Sequence, residues 1–568
     1  MAVEVSLQIN LQTRVKSVII FVILRESISD LRAWGERLFL RKNLVSKSSS
    51  HFNFSVQKSH YSFLKGKRKS KRDRIVVLDN FPVPQWLLVN SNIAHHIAEK
   101  TLSVPTVFSF RSPSKKSRAI NKAFGLDRFM IIRLGLPGWI ELCVEYEKLK
   151  KFVLSGKKII DYEISEIPIG LDIYESVLRL GRPTVSTLDW QLYRVSYLAL
   201  KQYVYFRNLM NQSRVSAVVV SHDNYVGPGL LAHIAFKFNV LVVLANTLSI
   251  SMPTKPFQNY EKFGRFKLIA EHLDKEELQS GKKWAKSELS KRISGEIGVG
   301  MPYQIKSAFN QDYLTKQTGE GTTKVLILSH DFFDNPHAYS KLLFDDFWNW
   351  LDFLGKLSLE TSHEWLIKMH PDYSNAELTC VQEFLDKYPN IQFVDPRTSF
   401  QQLKSEGVEF ALTCYGSIGH ELPLLGYTVV NAGYNPHSSY NFNVHIKSLE
   451  TYKSLILDLP SARIERVEED EIFEFYYIWN QVMNKDDLMG ISQRKLTKLE
   501  RINGGTHEVN EYIRECSSNV ATKTKEIFSE MIDRGLVYSF ERNLPQHMAL
   551  QNTVAKTLGP KLNSQRKL

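Results

Sequence analysis

The chain is poor in cysteine and has no long apolar run. Its 568 residues include four cysteines, far apart and without a CxxC pair, which excludes a disulfide scaffold and a zinc ribbon and fits a reducing cytoplasm. The longest wholly apolar run near the N-terminus, Val18–Leu24, is much shorter than the ~20 residues of a membrane span. No small-residue cleavage site flanks it. The sequence therefore predicts a soluble cytoplasmic protein.

Several motifs of common enzyme classes are also missing. The chain contains neither the Walker pattern GxxxxGK[ST] nor GxGxxG, which disfavours an ATPase or a dinucleotide-binding enzyme. It lacks a zinc-finger or RNP-type pattern, which disfavours nucleic-acid binding. It also has no Asp-x-Asp pair, so no metal is predicted.

Positive charge is concentrated at the N-terminus. The whole chain has a net charge of +13, and residues 1–74 alone carry 16 Lys/Arg against 5 Asp/Glu. A solvated linker is one explanation of this segment. Binding to anionic lipid is the other, with Val18–Leu24 as an apolar face. Nucleic-acid binding is disfavoured because no aromatic residues are interleaved with the basic run Lys65–Arg74.

Short apolar runs alternate with helical stretches along the rest of the chain. Because the runs are continuously apolar, we expect strands buried on both faces, hence parallel sheets covered by helices. Strands are predicted at 74–79, 104–110, 215–223, 240–245, 324–331, 364–368, 391–394, 409–413 and 428–431. Helices are predicted at 86–100, 230–238, 339–356, 376–387, 399–404 and 418–425.

These elements predict an α/β protein with two Rossmann-like lobes that face each other across a cleft. In such sheets ligands bind at the carboxyl ends of the strands. The predicted organisation is a basic N-terminal extension (1–73), an N-terminal lobe (74–250), a helical hinge region (251–321), a C-terminal lobe (322–450) and a helical tail (451–568).

In the C-terminal lobe, a glycine-rich turn follows a predicted strand. Gly416, Ser417 and Gly419 lie between the strand and a predicted helix, where free N–H groups and a hydroxyl could bind phosphate. Tyr415 precedes them, and Glu421 could accept hydrogen bonds from ribose hydroxyls. The alternative is a helix that is simply capped by Ser417.

Two further segments of this lobe carry candidate binding residues. Lys368 and His370 end a predicted strand just before a proline, and their cationic and imidazole groups suit a phosphate or diphosphate leaving group. The polar, aromatic-rich loop 432–443 contains Asn435 and His437 and suits sugar or base recognition. A structural histidine is the alternative for both imidazoles.

In the N-terminal lobe, Glu175 and Arg179 are one helical turn apart. They could form a surface ion pair, or Glu175 could be a carboxylate beside Arg179 in the cleft. His222 and Asp223 end a predicted strand nearby, so the site could supply a general base or a nucleophile. The tripeptide Ser-His-Asp recurs at 329–331, which places His330 at a strand end of the other lobe.

Together these segments resemble the bacterial capsule and surface polysaccharide biosynthesis glycosyltransferases, a GT-B group that includes the Kdo transferases. The resemblance covers about residues 74–455. The matching segments are Ile169–Arg179, Ser221–Tyr225 with Gly229, Ser329–Tyr339, Lys368–Pro371, Tyr415–Glu421 and Asn431–Asn443.

The resemblance implies that Lys368, His370 and Ser417 hold the phosphate of a nucleotide sugar, which is a cosubstrate and not a bound cofactor. The other candidate donor-binding residues are Tyr415, Gly416, Glu421, His330, Asn435 and His437. The candidate catalytic residues are Asp223, Glu175 and His222, where Glu175 replaces an Asp frequent in relatives.

The acceptor implied by the resemblance is a surface polysaccharide or a glycolipid, bound by the N-terminal lobe. Residues 1–74 would then hold the protein at the inner face of the plasma membrane. Two alternatives stay open: a nucleotide-sugar epimerase of GT-B fold, which needs no acceptor, and a non-catalytic scaffold at the membrane surface.

Overall fold

A computed structural model describes most of the chain beyond the basic extension. The main described ranges are 74–298, 322–484 and 506–558, with gaps at 81–83, 186–188, 338–341 and 465–466 and several between 111 and 123. Gln304, Lys306, Ser307, Phe309 and Leu488 are described as well. The predicted extension 1–73 lies outside the described residues, and the predicted domain boundaries stay a prediction.

The N-terminal lobe is built on a six-stranded sheet. Its strands are β1 (Ile75–Leu78), β2 (Val104–Ser109), β3 (Phe129–Ile131), β4 (Val215–Val220), β5 (Leu241–Ala245) and β6 (Ile250–Ser251). They lie in the order β3-β2-β1-β4-β5-β6, and all pairs are parallel except β5 with β6. Its helices are α1 (Pro84–Thr101), α2 (Leu136–Leu154), α3 (Ile169–Leu178), α4 (Trp190–Asn211) and α5 (Leu230–Lys237).

The C-terminal lobe repeats this topology. Its strands are β7 (Lys324–Leu328), β8 (Glu364–Lys368), β9 (Ile391–Val394), β10 (Val408–Thr413), β11 (Thr428–Asn431) and β12 (Val444–His445). All pairs are parallel, in the order β12-β11-β10-β7-β8-β9. Its helices, numbered after the two hinge helices, are α8 (Phe347–Ser358), α9 (Asn375–Lys387), α10 (Phe400–Ser405), α11 (Ile418–Glu421) and α12 (Leu449–Leu457).

Counted within its own lobe, each sheet has the strand order 3-2-1-4-5-6 of doubly wound α/β folds. Every residue of β1, β4, β5 and β7 is buried, because apolar clusters cover both faces of each sheet. The prediction of two Rossmann-like α/β lobes is confirmed.

The repeated Ser-His-Asp tripeptide occupies different places in the two lobes. It follows the fourth strand, β4, of the N-terminal sheet but the first strand, β7, of the C-terminal sheet. The two copies are therefore not equivalent by topology. Both nevertheless lie where the strand order reverses, between β1 and β4 and between β7 and β10, which is the ligand-binding position of such sheets.

Two predicted helices are shorter than the sequence suggested. The helix predicted from residue 339 begins only at Phe347, because the Asp346 carboxylate caps it by accepting from Asn349 N at 2.6 Å. The helix predicted at 418–425 is a single α-turn followed by a 3-10 turn at Pro423–Leu425. Pro423 has no N–H to continue the α-helical hydrogen bonds.

The hinge and the tail join the two lobes. The hinge helices are α6 (Phe266–His272) and α7 (Lys275–Ile293), and the tail contains α13 (Glu469–Tyr477), α14 (Thr506–Arg534) and α15 (Thr553–Leu558). Helix α13 packs on α7, whereas α14 returns to the N-terminal lobe and packs on α1. Phe528 and Met531 of α14 belong to the core on that face of the sheet.

A buried ion pair fastens the tail to the hinge. Arg265 Nη1 donates to Glu541 Oε1 at 2.7 Å, and the same carboxylate accepts from the backbone N–H groups of Val537, Tyr538 and Leu550. The Glu541 side chain is fully buried. Breaking one side of such a pair leaves an uncompensated buried charge.

We expect Arg265→Met to lower the free energy of unfolding by about 3–5 kcal/mol, as is typical of a broken buried pair. Urea unfolding followed by tryptophan fluorescence measures it. The matched control is Glu166→Gln, which removes the exposed pair with Lys237 and should leave the unfolding midpoint close to that of wild type, because solvent screens such a pair. Equal midpoints for the two variants would contradict the role of the Arg265–Glu541 pair.

Candidate functional site

The carboxyl edges of the two sheets meet through α3 and the loop after β7. Arg179 Nη1 lies 3.2 Å from Asp334 Oδ1, and His337 Nδ1 lies 3.2 Å from Glu175 Oε1. The Tyr174 hydroxyl donates to the Asp346 carboxylate. Of the two alternatives for Glu175 and Arg179, the surface ion pair is wrong, because both side chains contact the opposite lobe instead of each other. This brings the chemistry-bearing ends of both lobes together.

His330 is held as a neutral ring at the end of β7. Its Nε2 accepts from Cys414 N at 3.1 Å and lies 3.0 Å from the Thr413 hydroxyl. Because a backbone N–H can only donate, the ring proton is assigned to Nδ1. The ring stacks on Phe347 at 4.7 Å between centroids and lies 5.1 Å from the Tyr415 ring. Burial lowers the pKa of His330 to about 3. Nδ1 makes no hydrogen bond within the described residues, so it is a donor available to a ligand.

The glycine-rich turn after β10 has the shape predicted for it but a shorter helix. Gly416 adopts φ +120°, a conformation that other residues rarely adopt, and no atom lies within 4 Å of where its Cβ would be. Ser417 starts α11, yet its side chain makes no capping hydrogen bond. Because α11 has four residues, its dipole contributes little, and any phosphate contact here depends on the hydroxyl and the open backbone.

Glu421 is a fully buried carboxylate with only one oxygen satisfied. Its Oε1 accepts from Arg292 Nε of the hinge helix α7 at 2.9 Å. Its Oε2 is buried and has no hydrogen-bond partner. Since an unpaired buried carboxylate oxygen costs free energy, it marks a position where a donor group belongs.

More unpartnered polar atoms lie in α11 itself, at the end of β11 and in the loop after β11. His420 Nδ1 and His437 Nε2 are 3.1 Å apart, and the second nitrogen of each ring has no partner. Both amide atoms of Asn431 and of Asn443 are also buried and unpartnered. A Cβ on Gly419 would come within 2.4 Å of His437, which shows how closely α11 packs on this loop.

The remaining predicted donor residues are placed less favourably. Asn435 is buried, and its side-chain amide makes two hydrogen bonds within the loop. Its Nδ2 donates to Gly433 O, and its Oδ1 accepts from His437 N. Lys368 Nζ donates to Pro396 O at 2.8 Å and lies over the Phe400 ring, away from Ser417. Burial lowers its pKa to about 8. A phosphate role for Lys368 stays a prediction and would require that bond to break.

His370 extends from the end of β8 toward the same edge. Its Nδ1 accepts from Asp372 N at 3.1 Å, and its Nε2 lies 3.1 Å from the Gln304 amide. Desolvation lowers its pKa, and the charges of Lys368, Arg292 and Glu421 also act on it. The edge at β7, β8 and β10 thus brings together His330, His370 and Glu421.

The N-terminal lobe gathers three buried carboxylates around one histidine. Asp172 Oδ2 lies 2.8 Å from His233 Nδ1, and Asp223 Oδ1 accepts from the Tyr260 hydroxyl at 3.2 Å. Burial raises the pKa values of Asp172 (to about 6), Glu175 and Asp223. Burial alone would lower the pKa of His233, but the carboxylates, Asp172 first, raise it.

The two predicted catalytic carboxylates are near each other. The charge of Asp223 further raises the pKa of Glu175. His222 points elsewhere: its ring contacts Trp86 and Tyr225 edge-on, and burial lowers its pKa to about 4. At neutral pH this ring is uncharged and a weak base.

Sequence reasoning missed Asp172, His233 and Asp79. Asp172 and Glu175 have the i,i+3 spacing that puts two carboxylates on one helix face, which was a usable signal. Asp79 ends β1 and accepts from Ser221 Oγ at 2.6 Å, directly beside the Ser-His-Asp segment. No local pattern indicated His233, because it lies within an otherwise apolar helix, α5.

Two features are absent from the described residues. No group of three or more His, Cys, Asp or Glu side chains converges as in a metal site there. In the same part of the chain, no helix is both long and apolar enough to cross a bilayer.

Comparison with known proteins finds resemblance among solved structures only. No family model and no curated protein matches the chain. A β-Kdo 2,4 transferase, KpsC, of Thermosulfurimonas dismutans matches 46% of this chain and 79% of its own, at 14% identity and a TM-score of 0.27.

Two further structures match a larger share of the chain. A UDP-GlcNAc 2-epimerase of Neisseria meningitidis bound to UDP-GlcNAc covers 72% of this chain and 96% of its own, at 10% identity and a TM-score of 0.21. A glycosyltransferase of Rickettsia africae covers 78% and 98%, at 10% identity and a TM-score of 0.22.

The buried carboxylate of Asp79 predicts how stability depends on pH. Burial raises its pKa to about 6, so between pH 4 and 6 the folded protein holds a proton that the unfolded chain releases. The stabilising effect of that proton is lost as the pH rises through this window.

We therefore expect Asp79→Asn to raise the free energy of unfolding at pH 7 by up to about 3 kcal/mol relative to wild type, and to flatten its fall between pH 4 and 6. The asparagine oxygen can still accept from Ser221. Urea unfolding at several pH values measures both effects. The raised pKa would be refuted if Asp79→Asn were less stable than wild type at pH 7 and its free energy of unfolding changed with pH as that of wild type does.

Proposed function

We propose that this protein is a glycosyltransferase that moves a sugar from a nucleotide-sugar donor to a surface polysaccharide or glycolipid. The donor binds the C-terminal lobe, and the acceptor binds the N-terminal lobe. The observation that supports the proposal is that the carboxyl edges of the two sheets meet and differ in chemistry. One edge offers neutral and unpartnered hydrogen-bonding groups, and the other offers buried carboxylates of raised pKa.

The donor edge suits a sugar nucleotide. Glu421 Oε2 lacks a partner and can accept from a ribose hydroxyl. His330 Nδ1–H, the Ser417 hydroxyl and the open backbone at Gly416 can donate to phosphate oxygens. These donors would stabilise the negative charge that develops on the leaving nucleotide. The amides and imidazoles of loop 432–443 would offer donors and acceptors to the hydroxyls of the sugar.

The acceptor edge supplies the base. A buried carboxylate with a raised pKa is a stronger base than an exposed one, and Glu175 and Asp223 both have this property. In direct transfer the acceptor oxygen bonds to the anomeric carbon, the carbon–oxygen bond to phosphate breaks, and the hydroxyl proton moves to the carboxylate. In double displacement the carboxylate would first bond the anomeric carbon as the bond to phosphate breaks and the nucleotide leaves. The acceptor oxygen would then bond that carbon, freeing the carboxylate, and its proton would pass to solvent.

The acceptor distinguishes this proposal from its alternatives. A nucleotide-sugar epimerase would convert its donor without any acceptor, whereas a transferase releases nucleotide at a useful rate only when the acceptor is present. A scaffold would do neither. The attachment of residues 1–74 to the inner face of a membrane belongs to the same proposal, since a lipid-linked acceptor would be found there.

We expect Glu421→Gln and the double variant Ser417→Ala/His370→Ala to weaken nucleotide binding about 10- to 100-fold, because each removes charge-assisted or hydroxyl contacts worth about 1.5–3 kcal/mol. A thermal-shift screen of UDP, GDP, dTDP and CMP sugars identifies the donor, and titration calorimetry measures affinity. Ser461→Ala, an exposed serine, is the control. Unchanged affinity in both variants would place the donor elsewhere.

We expect Glu175→Gln or Asp223→Asn to lower the transfer rate by about 100-fold or more while donor affinity stays within about twofold, as for loss of a general base. A donor–acceptor assay with product analysis measures transfer, and calorimetry measures binding. Glu360→Gln, an exposed carboxylate of the C-terminal lobe, should retain full activity. Full activity in both catalytic variants would refute the chemistry.

A further inference from the structure

His337 reaches from the C-terminal lobe to a buried carboxylate of the other lobe. It lies in the loop after β7, and its Nδ1 is 3.2 Å from Oε1 of Glu175 on α3. The Glu175 side chain is 2% exposed and that of His337 is 11% exposed. Because an ionised carboxylate can only accept a hydrogen bond, Nδ1 of His337 carries the proton and donates. One lobe therefore supplies the donor of this hydrogen bond and the other supplies the acceptor.

The loop that carries His337 is fixed by hydrogen bonds of its own. Oδ1 of Asn335 accepts from His337 N at 2.7 Å, which closes a tight turn. Asn335 is buried, and its carbonyl oxygen accepts from the Tyr415 hydroxyl at 2.8 Å. Tyr415 directly precedes the glycine-rich turn, so the donor edge holds the loop from which His337 contacts Glu175.

Another contact already joins the lobes at the same place. Arg179 and Asp334 pair across the interface with side chains that are 59% and 58% exposed, so both keep much of their hydration. Two buried ionisable groups must give up theirs, and apolar side chains of similar size would fill the same space at lower cost. We therefore expect the contact between His337 and Glu175 to serve the chemistry of Glu175.

The titratable groups around Glu175 come from both lobes and the hinge. Its own lobe and the hinge supply two carboxyls, one imidazole and two phenols: Asp172, Asp223, His233, Tyr225 and Tyr260. The C-terminal lobe supplies His337. Burial raises the pKa of Glu175, whereas the hydrogen bond from His337 lowers it. Without His337, Glu175 would hold its proton to a higher pH.

We propose that His337 is a positioning residue for the acceptor edge: from the C-terminal lobe it orients the Glu175 carboxylate and keeps it available to accept a proton. Its hydrogen bond occupies Oε1, which leaves Oε2 for the hydroxyl of an acceptor. Because the two residues belong to different lobes, Glu175 is held in this way only while the lobes are in contact. The inference rests on the proposed function, in which Glu175 is a candidate base.

Urea unfolding between about pH 4 and 8 tests the pair without any substrate. The free energy of unfolding of wild type minus that of Glu175→Gln should fall as the pH rises, and level off above the pKa of Glu175 in the folded protein. In a His337→Phe background the same difference should keep falling for about one pH unit further. Identical curves in the two backgrounds would overturn the proposal.

Two matched variants separate the hydrogen bond from the contact between lobes. His337→Gln keeps an amide N–H that can donate to a carboxylate, so it should restore most of the wild-type curve. Asp334→Asn breaks the neighbouring pair with Arg179 and should leave the curve unchanged. An equal change in Asp334→Asn and His337→Phe would show that any contact between the lobes has this effect, and the role of His337 would be refuted.

The transfer reaction supplies the second readout. His337→Phe should move the acidic limb of the pH–rate profile up by about one pH unit, while the Kd of the donor stays within about twofold of wild type. An unmoved limb would exclude the positioning role. If wild type transferred no sugar at all, the proposed function would fail, and the unfolding curves would still decide whether His337 controls the proton of Glu175.

Discussion

Burial of both sheet faces is the constraint on which the rest of the structure depends. Strands such as β1, β4 and β7 have no exposed residue, so polar chemistry is confined to the places where strands end. Because both sheets reverse their strand order beside their first strand, each has one crevice at its carboxyl edge. The two crevices are joined through Glu175 and His337, so the polar groups of two unlike edges are brought together.

The two halves obtain their properties from opposite uses of burial. In the C-terminal lobe, burial keeps His330 and His420 neutral, so these rings offer hydrogen bonds without charge. In the N-terminal lobe, burial makes carboxylates hold protons more tightly. Both arrangements cost folding free energy, and this cost is offset by the large apolar cores behind each edge.

The sequence predicted the sheets better than the contacts. Strands such as Glu364–Lys368 and Thr428–Asn431 were predicted to the residue, because short apolar runs bounded by polar residues are typical of buried strands. Lys368 was expected to hold the same phosphate as Ser417, but its amine donates to Pro396 O. Arg179 was expected beside Glu175, but it pairs with Asp334, 155 residues later in the chain. Contacts between lobes leave no local pattern, which is also why His233 was missed.

The return of helix α14 to the N-terminal lobe has a consequence for biosynthesis. Phe528, Met531 and Leu536 complete the core behind β1 and α1, roughly 430 residues after α1 is made. At a synthesis rate of about 5–20 residues per second, the first lobe leaves the ribosome tens of seconds before the helix that covers it. During that interval an apolar face is open to water, so the nascent chain is a natural client for chaperones, and C-terminal truncations should aggregate instead of yielding a smaller working lobe.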